Sequence, residues 1–290
     1  MSELIRCIST DGALVAFAAD TTQLVQEAHE LHGTTSVVSA ALGRLLSAAS
    51  FQGIVLKEED ASVTLRVKGN GPAGGLIAVS DAAGNVRGYA ENPHAELPLN
   101  AKGKLDVAGA VGLPGTLTVM RDFGQGEPYI GQIPLVSGEI AEDITQYYAA
   151  SEQIPTVCAL GVLVGADGNI RNAGGLLIQL LPGAAEEDIE KLERCVANLE
   201  PVTAMLSRGM TPQAICEGVL PEFQLEVLDK YEINYRCNCS TARVVKALVS
   251  LGKDELEAMA AEGKAEVCCH FCGKKYTYAP AEIRRLIQSI

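Results

Sequence analysis

The chain has 290 residues, 48% of them hydrophobic, with a formal net charge of −13, nine cysteines and no tryptophan. That composition excludes a disordered chain, allows a sizeable buried core, and at this length suits two domains. The negative balance, with aromatics at only 4%, argues against nucleic acid or an anionic membrane as partner, because such binding rests on Lys and Arg and on stacking rings.

No apolar run reaches the ~20 residues that a membrane-spanning helix needs. The start, MSELIRCIST, carries Glu3 and lacks the basic-then-apolar pattern of a secretory signal. The expectation is a cytoplasmic protein. Thiols there stay reduced, so a cysteine-rich tail reads as a metal site or redox device and not as a set of structural disulfides.

From Met1 to about Leu181 strands and helices mix. ELIRCIST and LVAFAAD flank an Asp11-Gly12 turn, the pattern of a hairpin. After Asp20, TTQLVQEAHELHG is helical to Gly33, and TTSVVSAALGRLLSAASFQ repeats helical spacing through Val37, Ala41, Leu45 and Ala48. SVTLRVKG, GLIAVSD, NVRGYAE and GTLTVMRDF are short, β-rich and separated by Gly, Asn and Pro, as antiparallel strands are. Because strands and helices do not alternate strictly, the expected class is α+β, a mixed antiparallel-sheet and helix domain over residues 1–181.

Pro182-Gly183 ends the strand GGLLIQLL. In AAEEDIEKLERCVANLE the residues Ile189, Leu192, Val196 and Leu199 share one helical face, and Glu186, Glu187 and Asp188 occupy the first turn, where the helix dipole favours negative charge. With PVTAMLSRG and TPQAICEGVL this gives a helical linker over 182–232. The last segment, 233–290, is of a size at which an apolar core is marginal. Ser240 suits the cap of TARVVKALVSLG, Asp254 the first turn of KDELEAMAAEG, and Pro280 the start of AEIRRLIQSI.

That small segment holds a C-x-C pair, Cys237 and Cys239, and a C-x-x-C pair, Cys269 and Cys272, with 29 residues between them. In extended backbone residues i and i+2 face the same way, and a C-x-x-C turn points both sulfurs into one hollow, so four thiolates can close a tetrahedral zinc site. Gly273 suits the tight turn. Cys268, next to Cys269, faces the opposite way if its strand is extended. His270 is a legitimate zinc-ligand type, but a four-sulfur site needs neither. Cys7, Cys158, Cys195 and Cys216 are scattered in apolar contexts, where a free cysteine behaves as a small hydrophobe. From Ile233 onward nine Lys and Arg stand against six Asp and Glu; four thiolates around one Zn²⁺ add −2, which leaves a weak case for an electrostatic reader of nucleic acid.

Other motifs carry less. His29 and His32 lie three residues apart, not the i,i+4 of a zincin helix, and read as a solvated helix face. GNGPAGG, Gly69 to Gly75, lacks the Lys-Ser/Thr of a P-loop and reads as turns between strands. There is no G-x-S-x-G elbow, and nothing nominates a catalytic set.

Over essentially its whole length the chain resembles the bacterial redox-regulated heat shock holdases, the 33 kDa chaperonin family. The likeness is carried by the paired cysteines, by PYIGQIPLVSGEIAEDITQYYAASEQIPT (Pro128 to Thr156), by AGGLLIQLLPG (Ala173 to Gly183) and by DGALVAFAADTT. It implies an ATP-independent chaperone, not an enzyme, dormant while reduced and bound to one Zn²⁺ per chain. By matching positions the zinc ligands are Cys237, Cys239, Cys269 and Cys272, and oxidation joins Cys237 to Cys239 and Cys269 to Cys272 and ejects the metal. The zinc domain (233–290) and the linker then unfold, and the protein dimerises and holds unfolding client proteins. Cys268 is an extra thiol. The candidate client surface is the stripe of Ile189, Leu192, Val196 and Leu199, once it loses its cover. The alternative is a zinc-stabilised cytosolic adaptor or nucleic-acid-binding protein whose metal is only structural.

Overall fold

The computed structural model describes residues 1–263 and 265–288. The chain divides into two compact units, Met1–Arg236 and Cys237–Ile290, and its class is α+β as the sequence pattern implies.

The first unit is built on two five-stranded antiparallel sheets. The first sheet contains β1 (Ser2–Ser9), β2 (Leu14–Asp20), β8 (Thr156–Val164), β9 (Ile170–Leu180) and β10 (Leu225–Ile233), in the order β10-β1-β2-β9-β8. The second contains β3 (Ser62–Lys68), β4 (Gly75–Asp81), β5 (Val86–Ala90), β6 (Thr116–Asp122) and β7 (Tyr129–Pro134), in the order β5-β4-β3-β6-β7. The β1–β2 hairpin turns at Gly12, with φ of 74°, and Asp11 Oδ1 accepts from the Ala13 N–H at 3.0 Å.

Helices α1 (Thr22–His32) and α2 (Ser36–Gly53) follow the first hairpin. The sequence of α2 is apolar or small nearly all round, which is the signature of a buried helix, and it packs against strands of both sheets. Its serines satisfy themselves: Ser47 Oγ donates to Gly43 O at 2.9 Å, and Ser50 Oγ to Gly84 O at 2.8 Å. Gly43 is required by close approach, since a Cβ there would meet Val25 Cγ1 at 2.6 Å and Val162 Cγ2 at 2.9 Å. Two short helices, α3 (Val107–Val111) and α4 (Ala141–Tyr147), complete this layer, and a π-helical turn over Tyr148–Glu152 leads into β8.

The opposite face of the first sheet carries a second apolar cluster, covered by α5 (Glu186–Val196), α6 (Val202–Ser207) and α7 (Pro212–Val219). These helices fall inside the expected linker of 182–232, but that stretch is not helical throughout. Leu225–Ile233 is an edge strand paired with β1, because Leu225, Val227, Tyr231 and Ile233 alternate with exposed Glu226, Lys230 and Glu232. Arg6 and Asp229 bridge the pair at 2.5 Å. The residues through Arg236 group with the first compact unit.

The second unit holds α8 (Thr241–Ser250), α9 (Lys253–Ala261), the hairpin β11 (Ala265–Cys268) and β12 (Lys275–Tyr278), and α10 (Pro280–Gln288). Ser240 caps α8 by accepting from the Arg243 N–H. Its buried cluster is small, with Leu248, Leu256, Tyr276 and Ile283 at its centre.

Candidate metal centre

Two short backbone devices of the second unit bring four sulfurs together. Cys237 and Cys239 lie on the extended segment before α8, so both thiols point to one side. Cys269 and Cys272 sit at the tip of the β11–β12 hairpin, where the Cys272 and Gly273 N–H groups donate to Cys269 O at 3.3 and 2.8 Å and the Cys269 N–H donates to Lys274 O at 2.9 Å. Gly273, at φ of 65°, takes the left-handed position that lets the knuckle close.

The ligand atoms of these four cysteines all lie within 4.8 Å of one another. Cys237 and Cys269 are 3.7 Å apart, sulfur to sulfur, and Cys239 and Cys272 are 3.4 Å apart. A tetrahedron with metal–sulfur distances of ~2.3 Å has edges of ~3.8 Å, so the set is already near the dimensions of a closed four-thiolate site. Cys268 is exposed, with its thiol directed at Gly273 O at 3.5 Å; neither it nor His270 belongs to the four-residue group.

Electrostatics favour a cation here. Burial pushes the Cys237 thiol up to about 12. Burial also acts against Cys239, but the Tyr276 hydroxyl, donating to its sulfur at 3.1 Å, and the neighbouring thiols hold it down to about 7. Cys272 is raised, again chiefly by burial. Four thiols at this spacing cannot all ionise unaided; a divalent cation removes the conflict by stabilising every thiolate. The donor set is all sulfur with no open position, which suits Zn²⁺ in a structural role. Tyr276 is a supporting residue that spacing alone does not reveal.

The remaining candidates fall elsewhere. On α5, Leu192 is buried, Val196 is partly buried against the second apolar cluster and Ile189 is exposed, whereas Leu199 lies three residues past the end of the helix, partly buried against the same cluster, so the expected face is not one continuous helix. The stripe's packing partners thus belong to the first unit itself. His29 and His32 are half-buried and not on a solvated face: His29 Nδ1 bonds Ser39 Oγ at 3.0 Å, and His32 Nε2 bonds Tyr235 Oη at 2.9 Å. The glycine-rich 69–75 turn is held by backbone, with the Gly71 N–H donating to Val111 O at 2.8 Å. No described helix is long and apolar enough to cross a membrane.

Fold and site together define a two-unit α+β protein with a four-thiol, zinc-type centre on its smaller unit. The family profile described as "Hsp33 protein" matches residues 2–279, and the chain belongs to that family. It is 45% identical over 288 residues to the 33 kDa chaperonin of Acetivibrio thermocellus, covering 99% of this chain and 97% of that one. To the 33 kDa chaperonin of Bacillus licheniformis it is 43% identical over 291 residues, with 100% of each covered. The crystal structure of the 33 kDa chaperonin (heat shock protein 33 homolog) of Thermotoga maritima superposes with a TM-score of 0.89 at 37% identity, covering 99% of this chain and 98% of that chain.

Proposed function

We propose that the protein is a cytoplasmic, ATP-independent holdase chaperone switched by oxidation of its four-thiol centre. The observation that carries this reading is the convergence of Cys237, Cys239, Cys269 and Cys272 within 4.8 Å on a unit with a small core. Bound there, one Zn²⁺ per chain would hold the sulfurs as thiolates and contribute folding free energy, ~10–16 kcal/mol in comparable small zinc domains.

The protein's own groups do the switching. A thiolate attacks a two-electron oxidant and becomes a sulfenic acid, and a neighbouring thiol displaces water from it to form a disulfide. Pairing Cys237 with Cys239 and Cys269 with Cys272 consumes all four ligands, and the second unit then lacks the contribution its core cannot replace. The linker loosens with it, and the protein dimerises in the oxidised state. The apolar face of α5 with Leu192 and Val196, together with Leu199 just beyond it, once freed from their sheet, offers apolar surface to unfolding client proteins. Since that cover lies within the first unit, α5 must leave its own sheet for the face to become available. Neither an enzyme active site nor a nucleic-acid or membrane partner is part of this reading.

The test is direct. Zinc-loaded protein, with and without peroxide treatment at raised temperature, is mixed with a heat-unfolding client while light scattering and zinc release are followed. Oxidised protein is expected to suppress aggregation and the reduced form to leave it unchanged. Zinc release with equal aggregation in both samples would sink the holdase reading, and zinc retained under the same treatment would favour an adaptor whose metal is only structural.

A further inference from the structure

The chain is anchored to the first unit just before it reaches the first sulfur. β10 ends at Ile233, and residues 234–236 follow it with Asn234 and Arg236 exposed and Tyr235, between them, only 7% exposed. This arm runs parallel to β5, the edge strand of the second sheet. The Val86 N–H donates to Asn234 O at 2.9 Å, and the Arg236 N–H donates to Val86 O at 2.7 Å. For Gly88, the next outward-facing residue of β5, the Tyr235 hydroxyl stands in for a backbone partner, donating to Gly88 O at 2.8 Å and accepting from the Gly88 N–H at 3.2 Å. A hydroxyl has one proton, and that proton is committed to Gly88 O. His32 Nε2, 2.9 Å from the same oxygen, is therefore the donor of its bond, so Tyr235 is pegged both to β5 and to the last residue of α1.

The geometry points to Tyr235 as a positioning residue for the metal centre: its peg into β5 and α1 fixes the arm that presents Cys237 and Cys239, so that metal occupancy and attachment of the arm to the second sheet support each other. The inference rests on the metal reading of the four-thiol centre and is independent of chaperone activity.

The physical reason is chain entropy. Tyr235 stands two residues before Cys237, and every backbone residue that is fixed costs conformational freedom. With the peg seated, that cost is already met for the residues leading to Cys237, and the metal closes the centre with less left to order. With the peg out, the metal must order the same residues alone. A coupling free energy between two sites acts equally on both, so loss of the metal frees the arm at Cys237 and lets Tyr235 leave β5 more readily. Oxidation that ejects the metal would thereby reach the first unit: the arm detaches, and the β5 edge at Val86 and Gly88 is uncovered.

The test uses the reduced full-length chain, with zinc as the probe and no client protein. Zinc affinity is measured by chelator competition for wild type, Tyr235→Phe and Tyr235→Ala. Amide exchange of Val86 is followed by NMR in the wild type, with zinc bound and after stripping. Stripping should speed Val86 exchange by about tenfold, within the usual range of coupling between two sites. Tyr235→Ala should weaken zinc binding by the same factor, although no thiol is altered. Tyr235→Phe keeps the ring, removes only the hydrogen bonds of the peg and should lose part of that factor. Equal zinc affinity in all three proteins would overturn the proposal. So would a Val86 amide equally protected with and without zinc, even if the variants bound zinc more weakly, because the reciprocity would then be broken and Tyr235 would serve packing alone. A wild-type chain that binds no zinc would remove the metal reading and this coupling with it, a result distinct from equally tight binding in all three.

Discussion

The two units of this chain solve the problem of stability in different ways. In residues 1–236, α2 lies against two sheets and buries Leu45, Leu46 and Phe51 almost completely, while the far face of one sheet buries a second cluster under α5–α7. Such a unit is held by many distributed contacts, and no one side chain decides whether it folds. In the second unit the cluster around Leu248 and Leu256 is small, and two of its members, Tyr276 and Tyr278, carry polar hydroxyls. On the proposed function, a metal held by the four cysteines would concentrate stability in one place, and an oxidant would then act as a selective denaturant, removing most of what holds one unit and little of what holds the other.

The largest expected effect of this difference is on metal removal. Stripping a zinc-loaded sample with a strong chelator under reducing conditions should unfold the second unit, at an apparent cost of ~10–16 kcal/mol, and leave the amide protection of α2 and β9 in place. Hydrogen exchange read by mass reports both units at once. If the second unit keeps its protection without metal, its core is sufficient alone and the contrast drawn above is wrong.

A smaller change addresses which thiols matter. Cys269→Ser removes one of the four clustered sulfurs and should reduce metal content below one per chain, whereas Cys268→Ser alters an exposed thiol whose contact is Gly273 O and should leave the content unchanged. Metal analysis of the purified variants decides it; equal losses would mean that the wrong member of the Cys268–Cys269 pair has been placed in the centre.

How much of this could be read from residues alone differs between the units as well. The convergence of four cysteines was legible because two paired spacings carry their own geometry, α2 because its apolar residues recur at helical spacing, and β1 to β6 because turn residues bracket short apolar runs. The run Leu225–Ile233 alternates apolar and charged residues, yet it follows three helical segments and was absorbed into them; only β1, more than two hundred residues upstream, makes it a strand. The alternation is the local mark, but the pairing partner that makes it a strand, β1, cannot be read from the segment itself. β11 and β12 were missed for the opposite reason, being four residues each and too short for periodicity.

The finest test concerns the hydroxyl of Tyr276, which joins the apolar cluster of the second unit to its thiol centre. The ring is buried in the cluster and the hydroxyl donates to Cys239 Sγ at 3.1 Å. Tyr276→Phe keeps the ring and removes only the donor. Because that hydrogen bond helps hold Cys239 down at about 7, its loss should raise the thiol's pKa, so protons compete for the sulfur at higher pH. The pH of half-maximal metal release on acidification should then move upward, and affinity near neutral pH should fall by about tenfold, as loss of an outer hydrogen bond to a ligand typically does. Chelator competition across a pH series measures both quantities. An unchanged pH profile with reduced thermal stability would assign Tyr276 to packing alone, and the coupling between core and centre would then have to run through the β11–β12 backbone instead of this side chain.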